Sequence, residues 1–194
     1  MKFLKKNKQI FLLPLMLLLV LAACKPSPDK ARAYYESILD QHQAVLEKED
    51  MLNLLINREM KKALKDSVGA NMSTGEVQQE NPADLDVAYA DFCLQVKESI
   101  SKTKETGPFH TNHKLLDASM ALHETYLKLS EKEYKEVIDI VKIPPSLYTT
   151  ENDERFFDLT LHIDTCLQTE IDNFTRACKE FALEYNFTII PSQE

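Results

Sequence analysis

Five histidines, four cysteines and an excess of acids are where chemistry could reside in this chain. His110 and His113 lie three apart in His110-Thr111-Asn112-His113, near a helix start, with Asp117 following. That spacing puts nitrogen and oxygen ligands on one face and could hold a divalent ion, although histidines beside a helix cap are more commonly surface residues. Asp158 and His162, at i and i+4, read as a solvated helix pair. Stacking the expected helices side by side at 1.5 Å per residue places His42 and His123 both about 20 Å from one common end, with Glu170 and Cys93 close in height. All but Cys93 fall on or beside the inward apolar lines, so one buried polar layer of His42, His123, Glu170 and Cys93 is expected. Its commonplace role is a hydrogen-bonded layer that sets helix register. The alternative is a metal or small-ligand site.

Signatures of catalysis are missing. There is no Glu-x-x-His pair of the kind that builds di-iron centres in helical bundles. There is no Cys-x-x-Cys-His haem attachment, no glycine-rich phosphate loop and no Gly-x-Ser-x-Gly elbow. No enzyme, no cofactor and no resident metal is therefore expected. Cys166 and Cys178 would lie about 18 Å apart on one helix and cannot bridge each other. Cys93 could reach Cys166, but three buried thiols acting as small apolar residues are favoured. Asp66-Ser67-Val68, expected in an exposed loop, is similar to a short O-glycosylation signal of some bacterial lipoproteins.

The fourth cysteine has a different setting. Lys2, Lys5, Lys6 and Lys8 precede an apolar run from Ile10 to Ala23, which ends in Leu21-Ala22-Ala23-Cys24. The run is short of the roughly 20 residues that span a bilayer, and its charged start suits a secretory signal. Its end resembles the bacterial lipobox. The small residues fit a peptidase groove, and the thiol is the acceptor for diacylglycerol. The resemblance implies cleavage after Ala23 and lipid attachment at Cys24. Two or three acyl chains hold stably where one is marginal. Lys25, rather than an acid, implies sorting to the outer membrane, on its periplasmic face or at the cell surface.

The elements that must position these groups are helices. Three glycines, no tryptophan and an abundance of Leu, Glu, Lys and Ala argue against a sheet. The four signal lysines leave with the signal, taking the net charge from −8 to −12. So acidic a domain is not expected to bind nucleic acid. Residues 1–23 are read as the signal, 24–28 as lipidated cysteine and tether, and 29–190 as the domain. Apolar residues recur at steps of three and four over 29–66, 82–105, 110–142 and 151–186, separated by Gly69/Gly75, Gly107-Pro108 and Pro144-Pro145. The expectation is all-α, an up-down-up-down four-helix bundle with left-handed supercoil. The second helix is the shortest, so one end should be only three helices thick, under the 67–83 loop. A tether of four residues reaches about 14 Å at most. It would hold the end carrying Lys30, Arg32, Lys97, Lys102, Lys104 and Lys114 near the headgroups, with a milder negative field than the far end.

With the lipobox, "LLDASMALHETYLKL" and "RACKEFALEYNF" resemble helical surface lipoproteins of Gram-negative bacteria. The resemblance implies fold and location and carries no catalytic residues. The expected function is a lipid-anchored envelope protein acting by interaction or structure, through a partner the sequence does not identify. The alternative is a small-ligand or metal-binding lipoprotein using the buried His/Glu layer or the open end of the bundle.

Overall fold

Helix α1, Pro28–Val68, begins where the sequence supplies its start signals: the Ser27 hydroxyl accepts the Lys30 N–H at 3.4 Å, and proline occupies the first turn. The computed structural model describes residues 26–68 and 83–189. After α1 come α2, Ala83–Thr106, α3, Lys114–Glu131, α4, Glu133–Val141, a 3-10 turn at Pro145–Leu147, and α5, Thr150–Glu184. The chain is an all-α four-helix bundle, with α3 and α4 together forming the third rod.

Side-chain pairs fix the register. Ser99 Oγ donates to the Gln41 carbonyl and Lys48 pairs with Asp91, so α2 runs against α1. His42 meets His123 and Glu49 meets Tyr126, so α3 runs along α1. Tyr34 packs on Phe181 and His42 on Phe174, so α5 runs against it. Ile38, Val45, Leu52, Phe92, Val96, Leu122 and Val137 are almost wholly buried along the common axis. Each such side chain contributes about 1.5–3 kcal/mol. The exposed Lys48–Asp91 and Lys114–Glu180 pairs contribute about 1 kcal/mol at most. Apolar burial decides the fold.

The third rod departs from the expected single helix over 110–142. It starts later, at Lys114, because His110 takes φ 54° and a Phe109–Asn112 bridge closes the turn after Gly107. It also breaks at Lys132, whose φ −131° and ψ −71° are not helical. Carbonyls beside the break find other donors: the Tyr89 hydroxyl bonds Ser130 O at 2.7 Å, and Lys132 N–H bonds Leu129 O at 3.4 Å. At the end carrying the α1 start, Tyr34, Phe109, Phe181, Tyr185 and Phe187 form one run of ring contacts 4.8–6.1 Å between centroids. Helix α5 stops there in a Schellman motif, with Asn186 at φ 55° and Phe187 N–H bonding Ala182 O at 3.1 Å.

Helix α1 packs along α2, and α5 along α3 and α4, but α1 and α5 touch sparingly. The bundle is therefore open along one seam. The opening expected under the 67–83 loop involves residues 69–82, which lie outside the described residues. Among the described residues, no helix is long and apolar enough to cross a membrane.

Candidate functional site

Ile38, His42, Val45, Glu49, Leu52 and Ile56 follow one another on α1 at alternating steps of four and three, and all six are buried. This inner line carries two ionisable groups into the core. The His42 ring lies 6.2 Å from His123, 5.3 Å from Phe174 and 6.5 Å from Tyr126, between centroids. Burial holds both imidazoles well below their ordinary range, at about 4, and His42 adds to the effect on His123. Both are neutral at pH 7.

Among the described residues, His42 Nδ1, both ring nitrogens of His123, Thr103 Oγ1 and Ser119 Oγ have no hydrogen-bonding partner. Ser119 is one turn before His123, and Thr103 is one turn beyond the Ser99–Gln41 contact. All four residues therefore fall within about 6 Å in height of one another. The layer exists around the two histidines, yet it is not the hydrogen-bonded layer expected.

Two turns beyond His42 is a satisfied polar group. Glu49 Oε2 accepts from Tyr126 at 2.8 Å, and Oε1 accepts a second bond from Tyr134. Burial raises the Glu49 carboxyl above its ordinary range, only partly countered by the two hydroxyls, and it raises both tyrosines strongly. Glu49 has no cationic partner among the described residues. Tyr126 belongs to α3 and Tyr134 to α4, so one carboxyl from α1 spans the break at Lys132. Sequence reading missed this group because "LEKED" reads as a solvated charge run. The available signal was its place on the inner line, seven residues after His42.

Two members of the expected layer lie elsewhere. Glu170 is half-buried rather than buried, and it accepts from Asn173 at 3.3 Å. Phe174 takes the place beside His42, leaving Glu170 in an outer groove. Cys93 is half-buried on α2, against Tyr89, and shares no contact with the histidines. Cys93, Cys166 and Cys178 are all free thiols. Only Cys178 is buried, and burial pushes it up to about 12, so it is inert as expected of a core thiol. Cys93 and Cys166 are not the buried thiols the sequence suggested. Asp66-Ser67-Val68 is the last turn of α1 rather than loop.

The groove holding Glu170 lies between α3 and α5, has a volume of about 320 Å³, and includes Lys128, Glu133, His162 and Cys166. His162 Nε2 is 3.7 Å from Cys166 Sγ and 4.0 Å from Glu133 Oε1. His162 thus faces Glu133 and Cys166 instead of forming the expected pair with Asp158. A thiol, an imidazole and a carboxylate together suggest a nucleophile. The same ring nitrogen faces both neighbours, however, and the backbone N–H groups around mid-helix Cys166 are committed to the helix. His110 and His113 are exposed, one in the turn and the other at the α3 cap. Among the described residues, no three His, Cys, Asp or Glu side chains converge to hold a metal ion.

On the other flank of α5 the open seam forms a cleft of about 230 Å³. Asn53, Ile56 and Asn57 of α1 face Phe156, Thr160, Ile163 and Asp164 of α5, and Tyr134 and Val137 of α4 close the floor. Phe157 and Leu161 on the same helix are exposed. Glu49 stands behind the floor, bonded to the hydroxyl of Tyr134. No known protein family, no curated protein and no solved structure matches the chain.

Proposed function

We propose that this protein is a lipid-anchored, non-catalytic helical module of the bacterial cell envelope, moored through Cys24 in the outer membrane. The observation that carries the reading is the sequence Leu21-Ala22-Ala23-Cys24 behind a lysine-flanked apolar run. Residues 1–25 lie outside the described residues, and α1 opens at Pro28. A folded rod so close behind the lipid site suits a module held at the headgroups. The non-catalytic part rests on chemistry: the core histidines are neutral and inaccessible, and the backbone N–H groups beside the outer thiol are committed to α5.

The experiment is Cys24→Ser in a bacterial host fed labelled palmitate. Wild-type protein is expected to take up label and sediment with membranes, and the variant to lose both. A variant that still labels and sediments as before overturns the reading.

A further inference from the structure

In the groove between α3 and α5, His162 Nε2 stands 3.7 Å from Cys166 Sγ and 4.0 Å from Glu133 Oε1. One nitrogen facing both neighbours spoils a proton relay, but it is the pattern that donors around a common ion show. Zinc bonds are about 2.3 Å to sulfur and about 2.0–2.2 Å to nitrogen or oxygen, so a tetrahedral ion holds its ligand atoms about 3.3–3.7 Å apart. The sulfur–nitrogen separation is already at that length, and the nitrogen–oxygen separation is within about 1 Å of it. His162 and Cys166 are i and i+4 on unbroken α5, so they rise from one face a turn apart. Glu133 opens α4 just after the break at Lys132. It is 7 % exposed, and its ion-pair partner Lys132, at 3.2 Å, has a side chain 75 % exposed that can swing away. The groove itself is open to solvent along half-buried Cys166 and Glu170, and its volume of about 320 Å³ admits an ion with its waters. Among the described residues lining it, Lys128 is the one lysine or arginine, and it is exposed.

We propose that Cys166, His162 and Glu133 bind a divalent ion of the zinc class. The three side chains do not converge as they stand. His162 Nδ1 lies 3.9 Å from the same sulfur, so a turn of the exposed ring aims Nε2 at an ion held by Cys166. Glu133 completes the set by a side-chain shift of about 1 Å, and water takes the fourth position. Binding replaces the Cys166 thiol proton with the ion and releases that proton to solvent. Thiolate and imidazole suit zinc, cobalt or copper, whereas magnesium and calcium take oxygen ligands. An imidazole and a thiolate form coordinate bonds, so the ion does not depend on a solvated surface charge. This goes beyond the envelope-module reading and does not depend on the lipid.

The test is titration of the full-length protein, in neutral detergent with its thiols reduced, using Co²⁺ as the coloured probe and Zn²⁺ as its competitor. One equivalent of Co²⁺ is expected to bind and to give a near-ultraviolet thiolate-to-cobalt charge-transfer band, which Zn²⁺ abolishes. Affinity is expected to rise with pH, because the thiol must lose its proton. Cys166→Ser is expected to remove the band. His162→Gln should weaken binding at least tenfold and Glu133→Gln at least threefold, while Cys93→Ser changes nothing. No band at millimolar Co²⁺, a band that survives Cys166→Ser, or unchanged affinity in His162→Gln or Glu133→Gln overturns the proposal. Thermal unfolding keeps the variants interpretable. Metal-free Cys166→Ser and His162→Gln are expected to melt with the wild type, and Zn²⁺ to raise the midpoint of the wild type and of Cys93→Ser but not of those two. A Zn²⁺ shift that persists in both variants overturns the proposal as well.

Discussion

His123 is the residue at which burial and hydrogen bonding conflict most openly: the side chain is wholly buried and both ring nitrogens are unpaired. An unmade bond costs about 1–3 kcal/mol, whereas an apolar group of similar size avoids that cost. His123→Leu is therefore expected to stabilise the bundle by about 1–3 kcal/mol, read as a higher midpoint in thermal unfolding. A loss of stability would show that the imidazole is held by something its neighbours do not supply. Acid provides the complementary measurement. An unfolded imidazole takes up its proton near 6.5, but His42 and His123 do so only near 4, so unfolding takes up protons between those values. Stability is lost as pH falls from about 6.5 to about 4. Glu49 acts oppositely: its raised carboxyl makes stability fall as pH rises above about 4.5. Two histidines outweigh one carboxyl, so the net slope below neutrality follows the histidines. Denaturant midpoints measured from pH 7 to pH 4 should fall, and the fall should be smaller in His123→Leu. Tyr134→Phe removes one of two donors from a buried carboxyl and is expected to cost about 1–3 kcal/mol by the same assay.

At the scale of elements, the start of α5 rests on one side chain. Asn152 Oδ1 accepts the Thr149 N–H at 2.8 Å and the Thr149 hydroxyl at 3.1 Å, and Arg155 clasps Glu136 of α4 at 2.6 and 2.7 Å. Asn152→Ala is expected to cost about 1 kcal/mol and to speed hydrogen exchange in the first turn of α5. Unchanged exchange there would assign the start to Arg155 instead. Such starts were legible in the sequence, because caps and prolines are local: Ser27-Pro28 and Thr150-Glu151-Asn152-Asp153 signal the two starts, although the cap of α5 is Thr149, one residue earlier. The break at Lys132 was not legible. No glycine or proline marks it, and in the sequence Leu127, Tyr134, Val137 and Val141 pass across it at steps of seven, three and four. What makes it tolerable is tertiary, namely the Tyr89 hydroxyl on Ser130 and the Glu49 carboxyl on both tyrosines. The meeting of His42 with His123 followed from rise per residue alone. The exclusion of Glu170 did not, since its periodic position is inward and only the bulk of Phe174 displaces it. The open α1–α5 seam was likewise invisible, because amphipathic patterns report that a face is buried and not against which neighbour.

For the whole molecule, the lipid proposed at Cys24 and the placement of charge together make an orientation prediction. Lys30, Arg32, Lys102 and Lys104 are exposed near the α1 start and the Gly107 turn. Each cation near an anionic surface contributes about 1 kcal/mol. With the lipidated protein on phosphatidylserine vesicles, amide exchange should slow around residues 28–33 and 107–112 relative to neutral vesicles. The turn at residues 142–148, at the other end, should not change. Protection at residues 142–148 instead would mean the module lies down or inverts. The ring cluster at the α1 start has a mechanical consequence as well. Tyr34 and Tyr35 come within two turns of Pro28 and are packed against Phe109, Phe181 and Phe187. A load pulled through Ser27 meets interlocked rings from two other segments before it can unwind a second turn. The first rod must then slide in shear as one body instead of peeling from its tip, so the ring cluster acts as a clevis pin at the start of α1.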